Sequence, residues 1–363
     1  MTLLTRVKPL FLLAVELVTR YPWALALFGF VSGVASFILV EREQEKFAQM
    51  LSLLMLVSWL WLTLEKLLRQ RVANWFGFNL SPPLISFATQ LVHQESLFFV
   101  IPFFFITTSW NSGQAVFTSL LIIFAVISIV DPVYYPLAKR RWRYFIFHGL
   151  TLFAVLQTAL PILLQIPTAT SYLWSLVIAL VLSLPGIYQA LTGVWWRRLP
   201  MMVLVIILVG LIGYLVRPWI PPATLRLTEI LITDYVDNRE RAPANELKVV
   251  TVEQLRNGLY AYTAIRAPRG LHERVYHVWR RNGRVIDRIP LEITGGREAG
   301  YRAWSHKLNF PPYPAGRWQL QVVTEANQVI GLLRFRVVHS SDDIDEAEAE
   351  LERIDNELWP EED

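Results

Sequence analysis

The sequence predicts a membrane α-helical bundle of about seven spans, followed by an all-β immunoglobulin-like antiparallel sandwich and a short acidic C-terminal helix. Three observations carry this. Of 363 residues, 54% are hydrophobic and the mean hydropathy is +0.37, too apolar for an ordinary soluble chain. After Pro221-Pro222 the pattern changes from continuous apolar runs to alternation. Charge is partitioned: residues 223–339 hold 18 Lys and Arg against 11 Asp and Glu, and residues 340–363 hold 1 against 12. The expected organisation is a transmembrane domain over 1–217, a Pro-rich linker over 218–224, a β domain over 225–339 and an acidic helical tail over 340–363.

A helix needs about 20 mostly apolar residues to cross a bilayer. The candidate spans are 23–40, 50–67, 84–107, 113–130, 144–164, 170–187 and 201–216. Apolar sequence runs on past Ala24-Leu25-Ala26, so a cleaved signal peptide is not expected there. Orientation follows from Lys and Arg in the short loops. With the N-terminus cytoplasmic, the inner segments hold Arg6, Lys8, Arg20, Lys66, Arg69, Arg71, Lys139, Arg140, Arg141, Arg143, Arg197 and Arg198. The outer loops hold only Arg42 and Lys46. An odd number of spans then delivers the β domain to the outside, the periplasm of a bacterial inner membrane. Lys139-Arg140-Arg141-Trp142-Arg143 reads as an interfacial anchor on anionic headgroups rather than a nucleic-acid site.

The intramembrane polar cluster is Gln90, His93, Gln94 and Glu95, with Asp131 and His148 as candidate partners from later spans. Ionisable groups at that depth face the bundle interior, as a relay or as structural hydrogen bonds. The first option is a small proton-coupled transporter using Glu95 and His93.

In the C-terminal half, short alternating runs over 225–232, 259–267, 275–281, 285–293, 301–310, 318–322 and 333–337 are separated by Gly, Pro and Asn. Asn282-Gly283 is a hairpin signal, because both central turn positions need positive φ. Such spacing predicts an antiparallel sandwich, with a small barrel as the alternative. Trp279 and Trp318 are expected in its core. The candidate binding surface is His277, Arg280, Arg281, Arg284, Arg302, Trp304, Ser305 and Lys307. In the tail, Ile344, Ala347, Leu351, Ile354 and Leu358 form one helical stripe that could dock on the basic domain or on a second copy, giving a homo-oligomer.

The set His277-x-Trp279, Gly283, Arg302-x-Trp304-Ser305-x-Lys307, Gly316-x-Trp318, Gly331 and Phe335-x-Val337 resembles a domain of unknown function from proteobacteria. That domain recurs at the C-terminus of multi-pass inner-membrane proteins. The run His93-Gln94-Glu95-Ser96-Leu97-Phe98-Phe99 resembles the membrane region that accompanies it. The resemblance implies an architecture and no activity, and it brings no catalytic residues.

The absence of cysteine excludes disulfides, thiolate metal sites and cysteine nucleophiles. His277 and His306 lack a third ligand at a recognisable spacing, so no metal or other cofactor is expected. Ser305 lies in no Gly-x-Ser-x-Gly elbow, which argues against a hydrolase. The leading expectation is therefore a membrane-anchored binding or scaffolding module for an envelope protein, glycan or anionic lipid, without nucleic acid. A membrane enzyme acting on a lipid or envelope polymer is the further alternative.

Overall fold

The structure, a computed structural model, describes residues 82–340 and 343–358, the segment 52–60 and isolated positions between 21 and 50. The chain divides into two compact units. The first comprises 1–105, 118–164 and 171–215, and the second 106–117, 165–170 and 216–363.

The first unit is helical. Its elements are α1 (Pro82–Thr107), α2 (Gln114–Ile129), α3 (Asp131–Lys139), α4 (Arg141–Leu164), α5 (Thr168–Ala190) and α6 (Trp195–Leu215), the ends of α1, α2 and α5 reaching into the second unit. Helices suit a hydrocarbon solvent because every backbone polar group is bonded within the segment. Among the described residues, α1, α4, α5 and α6 are long and apolar enough to cross a membrane. That gives four candidate spans, or five if α2 and α3 are one broken span, where the sequence predicts about seven. Of the predicted span 23–40 only positions 27, 31, 34, 35 and 38 are described, and of 50–67 only 50 and 52–60, all as helix.

The span expected over 113–130 is altered in a way the sequence explains. Helix α2 has 16 residues, about 24 Å of rise. The chain then bends by 100° into α3. Pro132 has no N–H to donate to the Ser128 carbonyl, and its ring blocks continuation of the helix. Helix α6 has no buried residue, while Tyr172 on α5 donates through its hydroxyl to the Gly213 carbonyl at 2.5 Å.

The second unit carries two main sheets. Their strand orders are β1-β5-β8 and β4-β10-β9-β6-β7, with a small β2-β3 ribbon beside them. The strands are β1 (Arg226–Thr233), β2 (Val236–Asp237), β3 (Ala242–Pro243), β4 (Val249–Thr251), β5 (Leu259–Arg266), β6 (His272–Arg281), β7 (Arg284–Thr294), β8 (Tyr301–Lys307), β9 (Gly316–Thr324) and β10 (Val329–Val338). The three shortest, β2, β3 and β4, have too little alternation to be read from sequence. One of them departs from the antiparallel expectation, since β4 pairs parallel with β10. Arg281 pairs with Arg284 across Asn282-Gly283. These two residues have φ of 48° and 81°, the mirror-image turn whose twist matches the strands.

Apolar side chains of the two sheets share two clusters. Trp279, Trp318, Leu320, Phe335 and Val337 meet Ile232, Leu259 and Ala261. Val275, Ile293, Val322 and Ile330 meet Leu225, Ile265 and Ala303. Helix α7 (Ile344–Leu358) lays Ala347, with Ile344 beside it, against Val249 and Val338. Arg336 and Glu350 form an ion pair there. The first two positions of the tail's apolar stripe are thus used on the chain's own sheet.

Candidate functional site

Helices α1 and α3 meet through two rungs. In the lower rung the Gln90 amide nitrogen donates to the Ser128 carbonyl at 3.0 Å and to Asp131 Oδ1 at 2.6 Å. The Ser128 carbonyl is the acceptor that Pro132 leaves without its i+4 donor. Gln90 therefore mends the break between α2 and α3, which is a structural task. In the upper rung His93 Nδ1 is 3.0 Å from the Tyr134 hydroxyl. Gln90 and His93 are three positions apart on α1, as Asp131 and Tyr134 are on α3, so each pair shares a helix face.

The upper rung continues to α4, where His93 Nε2 is 3.0 Å from His148 Nδ1. His93 is fully buried. Its imidazole is ringed by Trp59, Tyr134, Tyr144, Phe147 and His148, with centroids 5.2–6.2 Å away. Trp59 is fixed in turn by donating Nε1–H to Ser96 Oγ at 2.8 Å. Of the predicted cluster, Gln90, His93, Asp131 and His148 come together. Gln94 is buried without joining these bonds. Glu95 stands one helical step from Gln94 and, among the described residues, bonds to none of these groups. Sequence reading missed Tyr134, although its place one turn after Asp131 was a usable signal.

In the second unit, side-chain direction sorts the predicted surface residues. His277, Ser305 and Lys307 are 0%, 4% and 3% exposed, so they cannot form a binding surface. Their parity along β6 and β8 turns them into the space between the sheets. There His277 on β6 joins two strands of the facing sheet. Its Nε2 is 3.1 Å from Thr263 Oγ1 on β5, and its Nδ1 is 2.8 Å from Ser305 Oγ on β8. Burial pushes the imidazole down to about 3, so it is neutral, with one donor and one acceptor nitrogen. The serine–histidine contact has the spacing of a nucleophile and its base, and both residues are buried between the sheets. Lys307 Nζ reaches Asp287 Oδ2 on β7 at 2.8 Å, which pairs a cation that would be costly to bury alone.

Glu273 is a further buried acid that sequence reading missed. Its Oε2 accepts the Thr168 backbone N–H at 2.6 Å, and Oε1 has no hydrogen-bond partner among the described residues. Burial pushes its carboxyl up to about 7, against the opposing pull of the Thr168 hydrogen bonds. The Gln114 amide nitrogen donates to the Val329 carbonyl at 2.8 Å. Through these bonds the 106–117 and 165–170 segments join the strands in one unit.

The outward face of the three-stranded sheet is aromatic and cationic. The half-buried Trp304 stacks at 6.4 Å on Tyr262, which is itself buried, and the exposed His306 stacks at 4.0 Å on Tyr260. The Arg241 guanidinium lies 5.4 Å from the Trp304 ring and 5.6 Å from the Tyr301 ring, and Arg297 lies 4.8 Å from the latter. Arg302 donates to the Glu240 carbonyl at 3.2 Å. Arg280, Arg281 and Arg284 sit elsewhere, at the β6–β7 hairpin of the other sheet. The predicted surface is therefore not one patch: Arg302 and Trp304 belong to the aromatic face, and the hairpin arginines do not.

A family model described as a family of unknown function, DUF5924, matches residues 4–261. The chain belongs to this DUF5924 family. A second model, a protein of unknown function described as DUF2914, matches residues 272–337. No curated protein and no solved structure matches the chain. The DUF5924 match ends inside β5, whereas the DUF2914 match runs from β6 almost to the end of β10. Of the His277 clamp, His277 and Ser305 lie within the second match and Thr263 between the two. The aromatic face does span both matches, with Tyr260 in the DUF5924 region and Trp304 and His306 in the DUF2914 region.

Proposed function

We propose that this chain is a bacterial inner-membrane binding or scaffolding protein. Its helical part anchors it, and an immunoglobulin-like sandwich in the periplasm holds an anionic envelope glycan on the face formed by β5 and β8. The observation that carries the reading is the half-buried Trp304 ring with the Arg241 guanidinium 5.4 Å from it, on the same face as the exposed His306 ring stacked on Tyr260. Flat rings stack on sugar faces, and guanidinium forks bind carboxylate or phosphate substituents. Such a face needs no catalytic group.

The test is binding of full-length protein in detergent to purified anionic envelope polysaccharide, compared with a neutral glucan. Trp304→Ala and Arg241→Ala should each weaken binding by about tenfold, one lost contact of about 1.4 kcal/mol, and added salt should weaken it further. Equal affinity for both polymers, or no effect of either substitution, would remove the glycan reading.

The periplasmic placement is supported by the outer loops. The loop after α1 and the loop after α4 carry no Lys or Arg between 106 and 117 or between 165 and 170, and both fall in the unit that contains the sheets. A phosphatase reporter fused after Val338 should be active, and a cytoplasmic reporter at the same point silent. The reverse pattern would place the β domain in the cytoplasm.

A further inference from the structure

We infer that Tyr134, His93 and His148 form a proton relay within the helical unit, a function separate from glycan binding by the β domain. A structural clamp needs only one fixed donor and one fixed acceptor at each contact. In this chain every member both donates and accepts: a phenol, then two neutral imidazoles, each with one N–H and one free lone pair. The two heavy-atom separations are 3.0 Å, within hydrogen-bond range.

Two arrangements of hydrogens fit the same heavy atoms. In the first, Tyr134 donates to His93 Nδ1, His93 Nε2–H donates to His148 Nδ1, and His148 carries its one N–H hydrogen on Nε2. In the second, His148 Nδ1–H donates to His93 Nε2, and His93 Nδ1–H donates to Tyr134. One transfer converts the first into the second. A proton arriving at the Tyr134 oxygen forms one O–H bond as the original O–H breaks. At His93 an N–H forms at Nδ1 and one breaks at Nε2. At His148 an N–H forms at Nδ1, and the proton on Nε2 leaves. One proton enters, one departs, and no group carries a lasting charge.

The surroundings suit this task. The rings around His93 exclude water that would short-circuit the chain, and Trp59 is held by Ser96. At the Tyr134 end, the exposed Asp131 stands one helical turn away on α3 as a collecting carboxylate. At the other end His148 is only partly buried and stacks on Tyr144 at 5.4 Å. Glu95 is not in the chain, so the relay differs from one built on Glu95 and His93.

The experiment uses the full chain in vesicles of phosphatidylethanolamine and phosphatidylglycerol, with an entrapped pH dye and a valinomycin-clamped potassium gradient. Wild-type protein should carry protons at about ten times the rate of protein-free vesicles. His93→Gln and His148→Gln should return the rate to background, because an amide accepts and donates hydrogen bonds but does not pass a proton on. Tyr134→Phe, which removes one hydroxyl, should lower the rate at least fivefold, and it carries the test if the histidine variants do not fold. Glu95→Gln should leave the rate within twofold of wild type. Wild-type flux equal to that of empty vesicles, or unchanged flux in folded Tyr134→Phe, overturns the relay.

Discussion

Residues 272–337, produced as a fragment, should fail to fold, whereas residues 220–340 should melt cooperatively. The shorter piece corresponds to the DUF2914 match but not to a structural unit. Its strand β8 pairs with β5, which it lacks. Its strand β10 loses β4. Trp279, Trp318 and Phe335 lose Ile232, Val250, Leu255, Leu259 and Ala261, the other side of their cluster. Each large apolar side chain returned to water costs about 1.5–3 kcal/mol, so exposing several exceeds the roughly 5–15 kcal/mol that holds a domain together. Residues 220–340 restore both sheets. They still lose the Thr168 and Gln114 hydrogen bonds, each worth about 1 kcal/mol, so their melting point should lie below that of the β region in the intact chain. The measurement is far-ultraviolet circular dichroism against temperature, with a dye that reports exposed apolar surface. A sharp transition in the 272–337 fragment would mean that the sheets do not depend on one another.

The same dependence explains what could be read from the sequence. Parity along β6 was legible, and it placed Trp279 in the core. Parity also put His277 on the same face as Trp279, and Ser305 and Lys307 opposite Trp304. Which face was inner on β8 depended on its pairing with β5 and on the His277–Ser305 contact between the sheets, which a single sequence does not display. A serine, a lysine and a histidine look like surface residues until each is shown to have a buried partner. The helical cluster was more legible, because polar residues in an apolar run are conspicuous. The 100° break after Ile129 was signalled by Pro132. Its consequence was not, because it depends on Gln90 reaching the orphaned carbonyl from another helix.

Between pH 7 and 4.5 the stability of the β region should be nearly flat in the wild-type protein, because two buried groups offset each other. His277 has a folded-state value of about 3 against an ordinary 6.5. Its contribution is fully present above pH 6.5 and is lost as the pH falls towards 3, since the unfolded chain takes up a proton that the fold refuses. Each pH unit in that window costs about 1.4 kcal/mol. Glu273 works the other way, with a folded value of about 7 against 4.5. Its contribution is fully present below pH 4.5 and is lost as the pH rises to 7, because the unfolded chain releases a proton that the fold retains. Acidification from 7 to 4.5 therefore gains about 3 kcal/mol from Glu273 while His277 loses about the same. Glu273→Gln keeps an acceptor for the Thr168 N–H and removes the titration. The variant should lose about 3 kcal/mol between pH 6.5 and 4.5 relative to wild type, read as faster amide hydrogen exchange in β5, β6 and β8 of the intact protein. Taking the difference between the two proteins cancels the titration of surface carboxylates. Parallel pH profiles for variant and wild type would show that Glu273 ionises in the fold as it does in water, and that its enclosure behind Thr168 is open to solvent.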